Sequence, residues 1–404
     1  MGKESSMFYV QCSVKKWCEI QVTVIFLILL FTVTSYASSI SENKSNIKNN
    51  TWIEKNGQIY GAKPDALGPI GGGSGYKKII TKGHYNVKDL DGLLAALKNI
   101  KKGEIIFIDG HAEIDFTNLI ITEKFQIKLP AGVTLASDRG YKGSEGAVIR
   151  SSNLATSPLI NVLGPNVRIT GLRISGPDPQ PQLEHHKRCF DKQVGDRKAQ
   201  AKCYYALPNS AGIWSEYGTL EVDNCEISGW SHAAIFLKDG NKHHIHHNYI
   251  HHNQRQGLGY GVSHGYGKNI SSLIEFNLFN YNRHSIAGTG VSGLSYEARN
   301  NMELGESLSH NFDMHGGKDR RDGTNIAGKL ILIHHNTFTN PKVRAIGIRG
   351  VPEEKAEIYN NWFAQDRPGK DVLIPWPAGK ENKVFCIIMR SGERRQWYSN
   401  KVLS

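Results

Sequence analysis

The chain has 404 residues, 39% hydrophobic and 21% charged, with a formal net charge of +12. That length and balance exclude a disordered or fibrous chain and leave room for one long all-β domain. The excess of positive charge favours an acidic partner, and no RNP, zinc-finger or helix-turn-helix signature points to nucleic acid, so an acidic polysaccharide ranks first.

Met1–Ser39 reads as a targeting segment. Lys15 and Lys16 precede an apolar run from Val22 to Val33, which is short against the ~20 residues a membrane helix needs. Ser35-Tyr36-Ala37 follows with the small residues that signal peptidase requires. A secreted or cell-surface protein is expected, and membrane attachment enters only if this segment stays uncleaved as an anchor. Residues 40–70 read as a flexible linker, and Gly71–Tyr76, lacking the GK[ST] of a phosphate loop, as a turn. Val87–Ile100 carries Leu90, Leu93, Leu94, Leu97 and Ile100 at helical spacing, with Asn86 as the expected N-cap and Gly103 beyond its end. Such a helix suits the role of a cap over the first rung of a coil of strands.

From Glu104 onward the pattern is β, beginning with Ile105-Ile106-Phe107-Ile108 and continuing in short apolar runs. A motif then recurs: Ile245-His246-His247-Asn248-Tyr249-Ile250, Ile274–Phe279, Ile333–Phe338 and Ile358–Phe363, with weaker copies at Val222–Ile227 and Ile169–Ile174 and another around Asn300–Met302. Where neighbouring copies are uninterrupted, the spacing is about 23–29 residues, one coil of a solenoid. Inward Ile, Leu and Phe then stack from rung to rung, and Asn at a fixed corner bonds its equivalents above and below. The domain is taken as 71–404, interrupted by basic insertions near 176–208 and 316–328. None of the six cysteines makes a CxxC, which argues against a structural zinc site. Cys189 and Cys203 share the first insertion, either as a disulfide or as two free thiols.

The capping helix, the run Leu129-Pro130-Ala131-Gly132-Val133-Thr134-Leu135-Ala136-Ser137-Asp138-Arg139-Gly140 and the asparagine ladder together resemble right-handed parallel β-helix proteins of the pectate-lyase-like superfamily. That resemblance implies an all-β solenoid. It implies less about chemistry, because the superfamily holds polysaccharide lyases, hydrolases, esterases and non-catalytic surface proteins.

Aligning the segments after each asparagine superimposes Gly259–Gly265, His284–Gly290, His310–Gly316 and Arg344–Gly350. Alternation puts Phe312 and Met314 in the core and Asp313 and His315 outside. The outward column then reads His264, Thr289, His315, Arg349. Eliminative cleavage of a uronate requires a cation for the carboxylate, a base for the adjacent carbon proton and an acid for the leaving oxygen. Arg283, Arg299 or Arg349 suits the first role, His264, His284, His310 or His315 the second and Tyr296 the third. Asp313 lies beside the histidines, and Glu297, Lys318 and Arg344 border the same region as substrate contacts. A divalent metal, calcium or zinc, is an open alternative, with His264, His310, Asp313 and His315 as one ligand set. The run HHIHHNYIHHN is a second histidine cluster, read as rung surface.

The chain lacks the paired aspartates and GHG run of polygalacturonases, which disfavours inverting hydrolysis. It also lacks the RxPxxR run of pectate lyases. A polysaccharide lyase is the expected activity. A hydrolase or metal-assisted carbohydrate enzyme is one alternative, and a non-catalytic glycan-binding adhesin the other.

Overall fold

A computed structural model describes residues 51–364 apart from 56 and 341, together with the strands Val372–Leu373, Val384–Arg390 and Trp397–Ser399. The targeting segment and the first part of the expected linker lie outside the described residues. Among the described residues no helix is long and apolar enough to cross a membrane.

The chain from Tyr85 winds as a parallel β-helix with three strands per coil. One ladder of strands runs through Thr134–Ala136, Arg168–Thr170, Glu221–Asp223, His243–His246, Ser271–Glu275, Ser295–Arg299, Leu330–His334 and the first half of Lys355–Phe363. A second follows each of these after a sharp turn, from Glu113–Asp115 to Thr337–Phe338. The third runs through Ile127–Leu129, Ile160–Val162, Ala211–Ser215, Ala233–Leu237, Tyr260–His264, His284–Gly288, Phe312–Met314 and Ile346–Ile348. All pairings within these ladders are parallel, so one strand of each coil lies over its equivalent in the next.

The interior is a set of stacked columns. Ile169, Val222, Ile245, Ile274, Ala298, Ile333 and Ile358 hold one register position in the first ladder, and all are buried. In the second ladder Ile227, Ile250, Phe279, Phe338 and Phe363 do the same, but the position between Phe279 and Phe338 is Glu303, fully buried.

The asparagine ladder is present at the turn between the first two ladders. Asn248 Nδ2 donates to Asn277 Oδ1 at 3.0 Å, and Asn277 to Asn301, Asn301 to Asn336 and Asn336 to Asn361 repeat the bond at 3.0 Å. Each Asn also donates to a carbonyl of the preceding coil, as Asn277 does to Ile245 O at 2.8 Å. The ladder is needed because the residue before each of these positions sits at positive φ. His247, Phe276, Asn300, His335 and Asn360 all lie between 51° and 55°, a conformation costly for non-glycine residues. The turn is held there by buried side-chain bonds. At the Val222–Ile227 copy the ladder position is Cys225, whose N–H donates to Asn248 Oδ1.

Two boundaries differ from the sequence expectation. The helix α1 is Leu90–Asn99, capped by Asp89, because Asn86 spends its side chain on Gly83 and Val87 joins a strand paired with Ile108. Leu93, Ala96 and Ile100 are buried against the first coil. The segment expected as linker contains a hairpin, Trp52–Lys55 with Gln58–Gly61, and continues onto the turn ladder. There Asp65 pairs with His247 at 3.1 Å, and Gly71 N donates to Phe276 O at 2.8 Å. At Gly72 (φ 64°) a Cβ would collide with His247 O, so glycine is required for this close approach.

The first insertion folds into two short helices, α3 (Leu183–Cys189) and α4 (Arg197–Ala206), after a short α2 at Thr117–Glu123. A Cys189–Cys203 disulfide joins α3 to α4. Buried Arg255 anchors the insertion, donating to the carbonyls of Tyr204, Leu207 and Pro208. The second insertion opens with the single turn α5 (Gly317–Arg320).

Candidate active site

The third ladder presents the candidate chemistry on its outer side. Its register aligns Tyr260 with His284 and His264 with Gly288. Ile286 aligns with Phe312, and Phe312 with Ile346. His284, His310 and Arg344 therefore share one register position, as expected, but Tyr260 and not Gly259 completes it. The expected alignment was one residue out at this rung, and a slip of one residue exchanges inside for outside. His264 is consequently a core residue with no exposed surface. Its Nδ1 faces Ala287 O at 2.9 Å and its Nε2 faces Ser272 Oγ at 2.7 Å. It stacks on Tyr296, which is likewise buried, with its hydroxyl unpartnered.

Arg299 and Glu297 belong to another wall. They lie on the outer face of the first ladder, in an ion-pair chain where Arg299 binds Glu275 at 2.7 Å and Glu297 at 3.1 Å, and His334 binds Glu297 at 3.1 Å. Two open clefts of about 410 and 510 Å³ lie along this wall, one bordered by His244, Glu297 and Leu332, the other by Lys63, Glu275, Arg299 and His335. His264, Tyr296, Glu297 and Arg299 are thus not part of one centre with His315. They come from strands whose facing depends on a register that short apolar runs do not reveal.

The residues that do converge are Asp313, His284, His310, His315 and Arg349. Asp313 is fully buried although it points outward, because its neighbours close over it. Arg349 grips it with Nη2 at 2.6 Å from Oδ2 and Nε at 3.1 Å from Oδ1. The same guanidinium reaches Asp319 in α5 at 3.1 Å. His315 Nε2 lies 3.0 Å from Asp313 Oδ2. On the opposite side His284 Nε2 is 3.7 Å from Oδ2 and His310 Nδ1 is 3.8 Å from Oδ1. The rings of Tyr260, His284 and His310 stack in sequence, 5.8 and 5.7 Å apart.

The floor beside Asp313 is made of small residues. Ser263, Ala287 and Gly347 occupy its register position on neighbouring rungs. A Cβ at position 347 would stand 3.2 Å from His310 Nδ1 and 3.4 Å from Asp313 Oδ1, so glycine keeps that corner open.

The electrostatics follow from burial and from the guanidinium groups. Burial raises the Asp313 carboxyl, but His284, His315 and Arg349 outweigh it and hold the group well below the usual carboxylate range. The bidentate Arg349 contact suffices to keep Asp313 anionic. His284 is held well below 6.5 by burial and then by Arg283, against the pull of Asp313 and of the His310 carbonyl. His310 is also lowered, by burial first and with Arg349, Arg344 and Arg283 opposing Asp313. Two imidazoles thus face a fixed anion.

Arg283 lies with its guanidinium carbon 5.9 Å from the centre of the Tyr260 ring and donates weakly to Leu258 O at 3.4 Å. Arg344 and Lys318 are exposed at the margin. The disulfide-stapled insertion borders the same end of the wall, since Cys189 and Tyr204 pack with Leu258 and Tyr260. Tyr260, Asp319 and the small-residue floor were not anticipated as site components. The signal for Tyr260 was the Tyr/His/His/Arg column, hidden by the long turn from Asn253 to Gly259.

No protein-family model matches the chain, and no curated protein matches it. The crystal structure of an alginate lyase from Paenibacillus sp. str. FPU-7 is similar at a TM-score of 0.44 with 14% identity, over 74% of this chain and 98% of that one. A likeness at that level transfers no activity.

Proposed function

We propose that this protein is a secreted polysaccharide lyase that cleaves a uronate-containing acidic polysaccharide by β-elimination. The observation that carries the reading is the buried, anionic Asp313 that orients His315 within a wall carrying Arg283, Arg344 and Arg349. In this reading His315 is the general base. With Nε2 held by Asp313, its other ring nitrogen remains to take the proton from the carbon next to the uronate carboxyl. Asp313 stabilises the imidazolium that forms. Arg344 and Lys318, exposed at the margin, engage the carboxylates of the polymer, while Arg349 keeps Asp313 in place.

Tyr260 takes the role first sought in Tyr296. Burial pushes its phenol up, against Arg283, so it keeps a proton to deliver to the leaving oxygen. A long outer wall of a β-helix suits a chain of sugars, and a net charge of +12 attracts an anionic one. The Cys189–Cys203 disulfide fits an oxidising compartment and so a secreted protein.

The test is incubation of the purified protein with a panel of uronate polymers. Unsaturated products absorbing near the ultraviolet edge are expected, and His315→Ala should abolish them while leaving the fold intact. New reducing ends without that absorbance would make the protein a hydrolase. Binding without depolymerisation would make it a glycan-binding surface protein.

A further inference from the structure

We infer that His284, His310 and Asp313 form a binding site for one divalent first-row transition-metal ion, with zinc the best match, on the outer wall of the third ladder. The argument is a count of lone pairs. His284 Nδ1 lies 2.6 Å from the carbonyl of His310. A carbonyl only accepts, so Nδ1 carries the hydrogen and Nε2 is the nitrogen left to bind a metal. That Nε2 is buried and meets no hydrogen-bond partner, and His310 Nδ1 is in the same position. Both nitrogens face Asp313, at 3.7 and 3.8 Å from its oxygens.

A carboxylate offers about four lone-pair positions. Arg349 uses one on each oxygen and His315 one on Oδ2. The position left over is on Oδ1, the oxygen facing His310. Two imidazole nitrogens without hydrogen-bond partners and a carboxylate oxygen, buried and aimed at one point, are the arrangement that a bound cation satisfies.

The ligand atoms lie within 4.8 Å of one another. Around zinc, with bonds of about 2.0–2.1 Å, tetrahedral neighbours are about 3.3 Å apart, so the set completes when its ligand atoms draw together by at most about 1.5 Å. Two imidazoles and a carboxylate suit zinc and its neighbours better than calcium or magnesium, which take oxygen donors. Three protein ligands leave a position for water or substrate, and Gly347 keeps the adjoining corner clear. The supporting bonds are present as well. The His310 carbonyl orients His284, and Arg349 with His315 orients Asp313.

Among the described residues the other cluster of this kind, Glu221, His244 and His246, does not qualify. His244 Nε2 bonds Glu275 and both nitrogens of His246 are engaged, by His247 and Glu221. The binding site stands without the lyase reading, and only a role for the ion in holding a uronate carboxylate rests on it.

The test uses tag-free full-length protein, stripped with a chelator and titrated with Zn²⁺ and with Co²⁺. We expect one equivalent retained after gel filtration, and the intense visible bands of a low-coordinate cobalt site. His310→Ala, at the partly exposed ligand, and Asp313→Asn should each weaken binding at least about tenfold, with a far-ultraviolet spectrum like the parent's. His244→Ala should leave binding unchanged. No retained metal in the parent, or binding that survives His310→Ala and disappears in His244→Ala, overturns the inference. Metal content and spectrum are read whether or not a polymer is cleaved. A protein that binds one ion but cleaves no uronate therefore keeps this site and loses the lyase reading.

Discussion

Replacing Glu303 by Gln should stabilise the protein in a strongly pH-dependent way. Glu303 occupies a core column between Phe279 and Phe338 and has no exposed surface. One carboxyl oxygen accepts from Asn311 at 3.1 Å, and the other has no partner. Burial pushes the group from 4.5 up to about 8, outweighing the nearby Ser285 hydroxyl and Asn311 amide that lower it. Below about pH 4.5 both folded and unfolded chains hold the proton, and stability does not depend on this group. Between about 4.5 and 8 the unfolded chain has lost the proton while the folded chain keeps it, so stability falls by about 1.4 kcal/mol per pH unit. Over that window the loss is on the order of 5 kcal/mol, comparable to the whole stability of many domains. Above 8 both states are ionised and the curve flattens.

Glutamine is neutral throughout and can still accept from Asn311. Urea unfolding of parent and Glu303→Gln at pH 5, 6, 7 and 8 should give a difference that is small at pH 5 and grows to several kcal/mol in favour of the variant at pH 8. Other titrating groups cancel in that difference. A difference that stays flat across the four pH values would refute the reasoning, since it would mean that Glu303 is ionised in the fold or reaches water.

Asn277→Ala removes donors to Ile245 O and Asn301 and the acceptor for Asn248, leaving buried backbone unpaired. A cost of about 2–4 kcal/mol is expected from chemical denaturation. Arg349→Met leaves Asp313 buried without its guanidinium partner, and a loss of about 3–5 kcal/mol should accompany loss of polymer cleavage. Tyr296→Phe deletes a buried hydroxyl with no partner, so both cleavage rate and melting temperature should match the parent or rise slightly, and a large fall in rate would return Tyr296 to the reaction. Cys189→Ser with Cys203→Ser opens the insertion's 14-residue loop, and limited proteolysis should cut between 176 and 208 before the coil. Equal resistance in the double variant would show that Arg255 alone holds the insertion.

The solenoid was legible because its signal is repeated. Isoleucine and asparagine recur at one corner of successive coils, and each copy supports the others, so the fold class, the inward columns and the asparagine ladder all follow from local pattern. The site was legible only where a rung had unambiguous neighbours. Phe312-Asp313-Met314-His315 alternates cleanly between apolar and polar, and its register with Ile346 and Ile348 is as expected. Tyr260-Gly261-Val262-Ser263-His264 does not alternate so clearly, and the turn before it differs in length from its neighbours. There the choice between His264 inside and His264 outside rested on one residue of register.

The amino-acid sequence by itself determined that the chain coils, how long a coil is and which residues can fill its interior, since periodicity and side-chain type are local properties. Tertiary structure alone decided which histidines meet. The partners of Asp313 come from three separate coils, at His284, His310 with His315, and Arg349. Their distances are set by the parallel register between strands, a property of the stacked backbone that no single stretch of sequence contains.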